Sequence, residues 1–247
     1  MYALSVALSL ILALGFYPAN SQFTKEHKAD RNTVLLIHMN ETTDSTNVLD
    51  ASSFNNNGSV LGTIPLVPGK FGKARRYSGD VYVNFGNPAS LQLTDKFTIE
   101  AFIKIDTFPI GDGPGYIVGK YDGSDNDVTN SFQFAIENTG VLYFKVGRNE
   151  YTLHGKSIIP LGQWTHVAAT YDGTLPSANM KVYINGIIDA SLNRTGTAPT
   201  NSAPVLIGQR NEDEIHCPGC YHKGTIIDEV RISNIVRTFK KYKLKKK

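Results

Sequence analysis

Four groups of residues have the types and spacing for chemistry. Cys217 and Cys220, the two cysteines of the 247 residues, stand in Cys-Pro-Gly-Cys. In an exported chain such a pair defaults to a disulfide. The spacing also suits a redox site or half of a zinc site, with His216 and His222 alongside. A redox pair, however, normally opens a helix whose dipole lowers the thiol pKa, and this one sits in a run with no helical pattern. The segment 50–58, Asp-Ala-Ser-Ser-Phe-Asn-Asn-Asn-Gly, concentrates side-chain oxygens. Calcium takes about six to eight oxygen ligands on a loop free to fold round it, so Asp50 and Asn57 are candidate ligands. Asp122, Asp125 and Asp127 form a second acidic run without EF-hand spacing or a terminal Glu; it reads as a solvated turn. Glu100 is a lone carboxylate in FTIEAFIKI. Retaining glycoside hydrolysis needs two carboxylates about 5 Å apart, and one group cannot be both nucleophile and acid. No Gly-x-Ser-x-Gly, His-Glu-x-x-His or phosphate loop occurs. The chain is therefore expected not to be an enzyme.

Sugar recognition is the alternative chemistry. It works by laying an aromatic face on the ring while amides and carboxylates hold hydroxyls. Tyr121, Tyr143 and Tyr151 are candidates, although a protein of this size uses most of its aromatics in the core. Three sequons, at Asn40, Asn57 and Asn193, are glycosylation sites if the source modifies exported proteins. At Asn57 that role competes with a place in the calcium loop.

These residues are positioned by strands. From residue 34 onward the apolar period is two, the strand period. Residues 97–105 alternate, with Phe97, Ile99, Ala101, Ile103 and Ile105 on one face and Thr98, Glu100, Phe102 and Lys104 on the other. Further strands are expected at 34–39, 116–120, 131–137, 141–146, 164–171, 205–208 and 224–233. Asn185-Gly186, between 180–184 and 187–190, is a strong hairpin signal because both turn positions take positive φ. Gly79-Asp80 reads as another hairpin, joining 75–78 to 81–85. Trp164 is expected to be buried at the start of its strand. No amphipathic helix is evident beyond a short turn near 91–96. Strands every 8–15 residues with turn chemistry between them predict an all-β, two-sheet antiparallel sandwich or a barrel.

Composition bounds the partners. Formal net charge is +3, but residues 237–247 hold seven Lys/Arg and no acid. Without them 18 basic residues face 22 acidic ones, so the folded body lacks the clustered positive charge that nucleic acid requires. The basic tail, 239–247, is a candidate contact for anionic surfaces. Residues 2–17 are uncharged and almost all apolar or small, followed by Pro18 and Ala-Asn-Ser. That reads as a signal peptide over 1–21, being shorter than the roughly 20 apolar residues of a membrane span. A flexible lead-in follows over 22–32, then one domain over 33–238. Oligomeric state is not legible.

The ordered series LLIHMNE, VLDASSFNNNGSV, VPGKFGKARRYSGD, LTDKFTIEAFIKI, IPLGQWTHVAATYDG, KVYINGIIDA, LIGQR and GTIIDEVRISN resembles laminin-G-like jelly-roll domains of the concanavalin-A-like lectin/glucanase superfamily across 33–238. The resemblance implies one convex and one concave antiparallel sheet, a carbohydrate-binding or adhesion role, and often a structural calcium. It adds Asp228 to the calcium candidates, since related jelly rolls use an Asp of the last strand beside the N-terminal strand. Related glucanases carry Glu-x-Asp-x-x-Glu on one strand; here Phe102 occupies the second acid's place. The expectation is a secreted, non-catalytic module binding a glycan or an extracellular partner, with calcium as its ion. The alternatives are a structural or self-assembling surface protein and, behind it, a polysaccharide hydrolase or lyase.

Overall fold

The computed structural model describes residues 24–42, 46–109, 113–122, 129–209 and 222–239. In chain order the described strands are β1 (Thr33–Ile37), β2 (Asn47–Val48), β3 (Gly58–Leu61), β4 (Leu66–Pro68), β5 (Lys73–Ser78), β6 (Tyr82–Asn84), β7 (Lys96–Lys104) and β8 (Gly115–Lys120). Then come β9 (Phe132–Ile136), β10 (Leu142–Val146), β11 (Thr152–His154), β12 (Thr165–Asp172), β13 (Met180–Ile184), β14 (Ile187–Leu192), β15 (Leu206–Ile207) and β16 (Lys223–Ser233). Two short 3-10 turns, Ala89–Leu91 and Asn149–Tyr151, accompany them. The first sheet runs β14-β13-β12-β7-β16-β5-β4, with β1 also on β16; the second runs β11-β10-β9-β8-β15-β6-β3-β2. All pairings are antiparallel, and the all-β, two-sheet sandwich read from the sequence is the fold.

Alternation along β7 explains the layering. Phe97, Ile99, Ala101 and Ile103 enter the shared core, where Phe97 meets Tyr171 of its own sheet and Phe132 and Phe144 of the facing one. Thr98, Glu100 and Phe102 therefore point to the outer face of the first sheet. The same parity corrects Trp164. In β12 the core residues are Val167, Ala169 and Tyr171, so Trp164 falls in phase with His166 on the other side, just before the strand, and is half-buried.

Two turn readings had different outcomes. Asn185 and Gly186 take φ of 50° and 77° and join β13 to β14 as a hairpin. Gly79-Asp80 joins no hairpin: β5 pairs with β4 and β16, whereas β6 belongs to the other sheet. Gly79 N–H donates to His222 O, prolonging the β5–β16 ladder, and Val81 N–H donates back to Gly79 O. The turn thus carries the chain from one sheet to the other, a choice made by long-range partners and invisible in a dipeptide.

β16 has two halves. Lys223 to Ile227 face β5, and Val230 to Ser233 face β1. Where the partner changes, the register against β7 slips between Asp228 and Arg231, and Glu229 takes φ of 50°. Such a bulge re-aims the side chains beside it.

Candidate functional site

The outer face of the first sheet carries a buried charged cluster. Arg231 lies opposite Glu100, and His166 opposite Phe102. Arg231 Nε and Nη2 reach Glu100 Oε1 at 2.8 and 2.7 Å. His166 Nε2 stands 2.9 Å from Glu100 Oε2, where its N–H donates to the carboxylate. His27 Nε2 lies 3.6 Å from the same oxygen. All three of His27, Glu100 and His166 are buried, and their ligand-capable atoms lie within 4.8 Å of one another.

His27 belongs to the segment expected to be a flexible lead-in. From Thr24 to Arg31 that segment is exposed apart from His27, which Glu229 holds in place. Oε2 of Glu229 accepts His27 N–H at 2.6 Å, and Oε1 faces His38 Nδ1 at 2.6 Å. The bulge in β16 is what aims Glu229 there. Phe102 fills the space between, 5.7 Å from the His27 ring and 5.2 Å from that of His166.

Burial by itself favours a neutral Glu100. The His166 hydrogen bond and the neighbouring His27, His166 and Arg231 more than offset it and bring the carboxyl down to about 2. Burial drives His27 down to about 3 against the pull of Glu100, and it lowers His166 as well. At neutral pH the two imidazoles are therefore neutral, and Arg231 is the counter-charge of an ionised Glu100. His38 is raised, chiefly by its hydrogen bond to Glu229.

A cleft of about 340 Å³ opens beside this cluster, lined by His27, Glu100, Arg231 and the segment 235–239. The C-terminal segment is pinned by Thr98: its Oγ1 donates to Ile235 O and accepts from Arg237 N–H, both at 2.8 Å. Arg237 grips Asp30 through two contacts, 3.0 and 2.7 Å, so the N- and C-terminal segments hold each other across the face. That hydrogen-bonded pairing, above all, lowers the Asp30 carboxyl below its usual range. Phe239 rests against the rings of His166 and Tyr183, at 5.3 and 4.9 Å.

The calcium candidates divide. Asp50 Oδ1 accepts the N–H groups of Leu36 and Ser52, and Oδ2 accepts Ser52 Oγ and Asn56 N–H, all at 2.7–2.9 Å. Asn57 Oδ1 accepts the Asp50 N–H. Asn55 supplies the left-handed turn at φ 53°. Each Asp50 oxygen already accepts two hydrogen bonds, so a cation on Asp50 would have to displace donors that hold the loop. Asp228 does fit. Its Oδ2 accepts Lys70 and Phe71 N–H at 2.8 and 3.0 Å, while buried Oδ1 has no hydrogen-bond partner among the described residues. Desolvation, reinforced by the Glu229 charge, pushes its carboxyl up to about 7. Gly69 is required beside it, since a Cβ there would lie 2.8 Å from Oδ2 and 2.5 Å from Lys73 O. The two carboxylates hold different segments, Asp50 its own loop and Leu36, Asp228 the turn at Lys70 and Phe71.

The tyrosines occupy three different surroundings. Tyr121 is buried. Tyr143 is half-buried on the outer face of the second sheet with Tyr116 and Ala135, its ring 5.9 Å from that of His154. Tyr151 packs on the core beneath the Arg194 guanidinium, 5.1 Å away. Asn40, Asn57 and Asn193 are all exposed, each with its side-chain oxygen accepting a backbone N–H. Asp122 accepts the Thr129 hydroxyl. His222 is buried, with Nε2 2.7 Å from Tyr116 O. Cys217, Cys220, His216, Asp125, Asp127, residues 1–21, expected to be a signal peptide, and the tail from 240 lie outside the described residues. Sequence reasoning weighed Glu100 alone. It missed His27, His166 and Phe239; of these only His166 left a signal, sharing the outward parity of a strand that resemblance places in the sheet.

The sandwich of two antiparallel sheets is of the jelly-roll class. The family model for the concanavalin A-like lectin/glucanases superfamily of the Laminin_G_3 type matches residues 77–240, and the chain belongs to that family. No curated protein matches it. Among solved structures it is similar to domain 4 of AbnA, an extracellular GH43 arabinanase from Geobacillus stearothermophilus, in complex with arabinotriose. That match has 21% identity and a TM-score of 0.57, over 82% of this chain and 92% of that one. It is similar to botulinum neurotoxin type C, in a study of cell entry dependent on two ganglioside molecules (17%, 0.56, 83% and 48%). It is also similar to a mutant Trypanosoma rangeli sialidase displaying trans-sialidase activity (13%, 0.58, 83% and 31%). The chain thus spans about half of the toxin chain and under a third of the sialidase.

Proposed function

We propose that this chain is an exported, non-catalytic carbohydrate-binding module whose sugar site is the cleft between Glu100, Arg231 and Phe239. The observation that carries the reading is the cleft itself. Its volume is at the lower end for ligand pockets, and it pairs an aromatic ring with a fixed ionised carboxylate and guanidinium, groups that hold sugar hydroxyls. Similarity to nearly the whole of a domain that holds arabinotriose supports the same class of ligand. A non-catalytic role is supported by the strand: Glu100 is bound to Arg231 and His166, and Phe102 stands where a second acid would.

Calcium belongs to the proposal at Asp228 only, where Oδ1 is the open ligand oxygen. An ion there would stiffen the turn 69–73 against β16 and leave the cleft chemistry to the side chains named above. Export rests on residues 1–21, and the mature chain would begin at Gln22, which N-terminal sequencing of secreted material checks.

A glycan array run with calcium and with chelator tests the reading. The expected outcome is retention on a defined glycan class, lost in Phe239→Ala while the circular dichroism stays unchanged. No retention under either condition, or retention indifferent to Phe239, overturns the cleft as a sugar site.

A further inference from the structure

We propose that His27, Glu100 and His166 form a zinc site of two imidazole nitrogens and one carboxylate oxygen, which clamps the N-terminal segment onto the sheet. It stands independently of any sugar in the cleft.

The spacing fits the ion. Zinc binds His nitrogen and carboxylate oxygen at about 2.0–2.2 Å, and in tetrahedral geometry that sets ligand atoms about 3.3 Å apart. Glu100 Oε2 lies 2.9 Å from His166 Nε2 and 3.6 Å from His27 Nε2, with all three atoms inside 4.8 Å. Small side-chain movements close the figure. His27 Nε2 adds an independent sign: its side chain is 9% exposed, and the atom is buried with no hydrogen-bond partner among the described residues. A buried polar atom left so costs stability, and a metal would satisfy it.

An imidazole binds metal through its unprotonated nitrogen, so His166 would shift its proton from Nε2 to Nδ1 as the ion takes the place of its hydrogen bond to Glu100 Oε2. The surroundings fix the donors as a second shell does. Arg231 holds Glu100 Oε1 and leaves Oε2 to the ion, and Glu229 holds the His27 backbone. Arg231 opposes the incoming charge, whereas Glu229 favours it. Two nitrogens and one oxygen select zinc over calcium or magnesium, which want oxygen alone. His27 and Glu100 also line the cleft, so the remaining coordination position has access to water or to a ligand entering there. An ion at this point links residue 27 to β7 and β12.

The test uses the full mature chain, stripped with chelator and titrated with zinc chloride by calorimetry. Metal content is read by plasma mass spectrometry and the segment 24–32 by hydrogen exchange. The expected result is one equivalent of zinc, protection of the segment on binding, and no competition from excess calcium. His27→Ala and His166→Ala should each weaken binding by about a hundredfold or more, since even an outer-shell change costs 10–100-fold. The Cys217→Ser/Cys220→Ser chain should keep the full equivalent. His27 lies outside both sheets, so its variant tests the site even where His166→Ala fails to fold. Substoichiometric zinc, wild-type affinity in His27→Ala, or loss of the equivalent in the cysteine variant alone would overturn the proposal.

Discussion

The Asp50 loop and the Glu100 cluster each bury a carboxylate, and they do it in opposite ways. Asp50 takes its hydrogen bonds from Leu36, Ser52 and Asn56, none more than 14 residues away. Glu100 draws on His27, His166 and Arg231, brought from 66 to 131 residues away where a bond is made. The donors to Asp50 are neutral and fixed, so its carboxylate organises backbone and has no chemistry to spare. Those around Glu100 are a guanidinium and two imidazoles beside an open cleft, so its state responds to what enters. Density of oxygen-bearing residues marks a folded turn as readily as a cation site; a responsive site shows in the mixture of charges that converge.

Variants can sharpen that contrast. Glu100→Ala should have the largest effect, about 3–5 kcal/mol of stability, because it leaves Arg231 in the sheet without its partner. Chemical denaturation reads it, and a loss below about 1 kcal/mol would mean that Arg231 finds water instead. Asp50→Ala should cost about 3 kcal/mol through the N–H groups of Leu36, Ser52 and Asn56 that it strands, with no change in zinc or glycan binding. A binding defect in a folded Asp50→Ala chain would blur the distinction drawn here. Asp228→Asn stands between the two. It keeps an acceptor for Lys70 and Phe71 and removes a buried charge, so it should raise stability by about 1 kcal/mol without calcium. It should also abolish any rise in melting temperature on adding calcium.

The second sheet gives a pH test. Lys120 is buried, its ammonium held by Asn87 and Ala203 oxygens, and desolvation lowers its pKa to about 8. The unfolded lysine keeps its proton to about 10.4. Between these values the unfolded chain binds more protons, so this group makes stability rise with pH from about 8 to 10. Lys120→Met should remove that rise; an unchanged slope would assign it to another group. The smallest effect belongs to Arg237→Ala. Its pair with half-exposed Asp30 is worth at most about 1 kcal/mol, but its loss should loosen both terminal segments in hydrogen exchange. Because the Arg237 hydrogen bonds depress Asp30, that contribution is present above the ordinary carboxylate pKa and fades as pH falls below it.

Much of the fold was legible, and the reason is local. Period-two alternation placed β7, β9, β10 and β12 within a residue or two, and Asn185-Gly186 placed a hairpin, because each signal depends on neighbours in sequence. The Gly79-Asp80 turn was misread because its partner, His222, is remote. β2, β3, β4 and β11 are two to four residues long, too short for a period to show. The site was less legible still. Glu100 was visible as a lone acid on an outward face, but its partners depend on the register between β7, β12 and β16, on a bulge that turns Glu229, and on terminal segments folded back over the sheet. Nothing in the polar stretch 22–32 sets His27 apart from its neighbours.

The central claim is that the cleft holds carbohydrate without cleaving it. The most direct measurement incubates the retained glycans with wild-type chain and with Glu100→Gln, then reads both bound sugar and new reducing ends. The account predicts saturable retention by the wild type and no new reducing ends from either chain. Release of reducing ends by the wild type, abolished in Glu100→Gln, would contradict it and make Glu100 a catalytic acid.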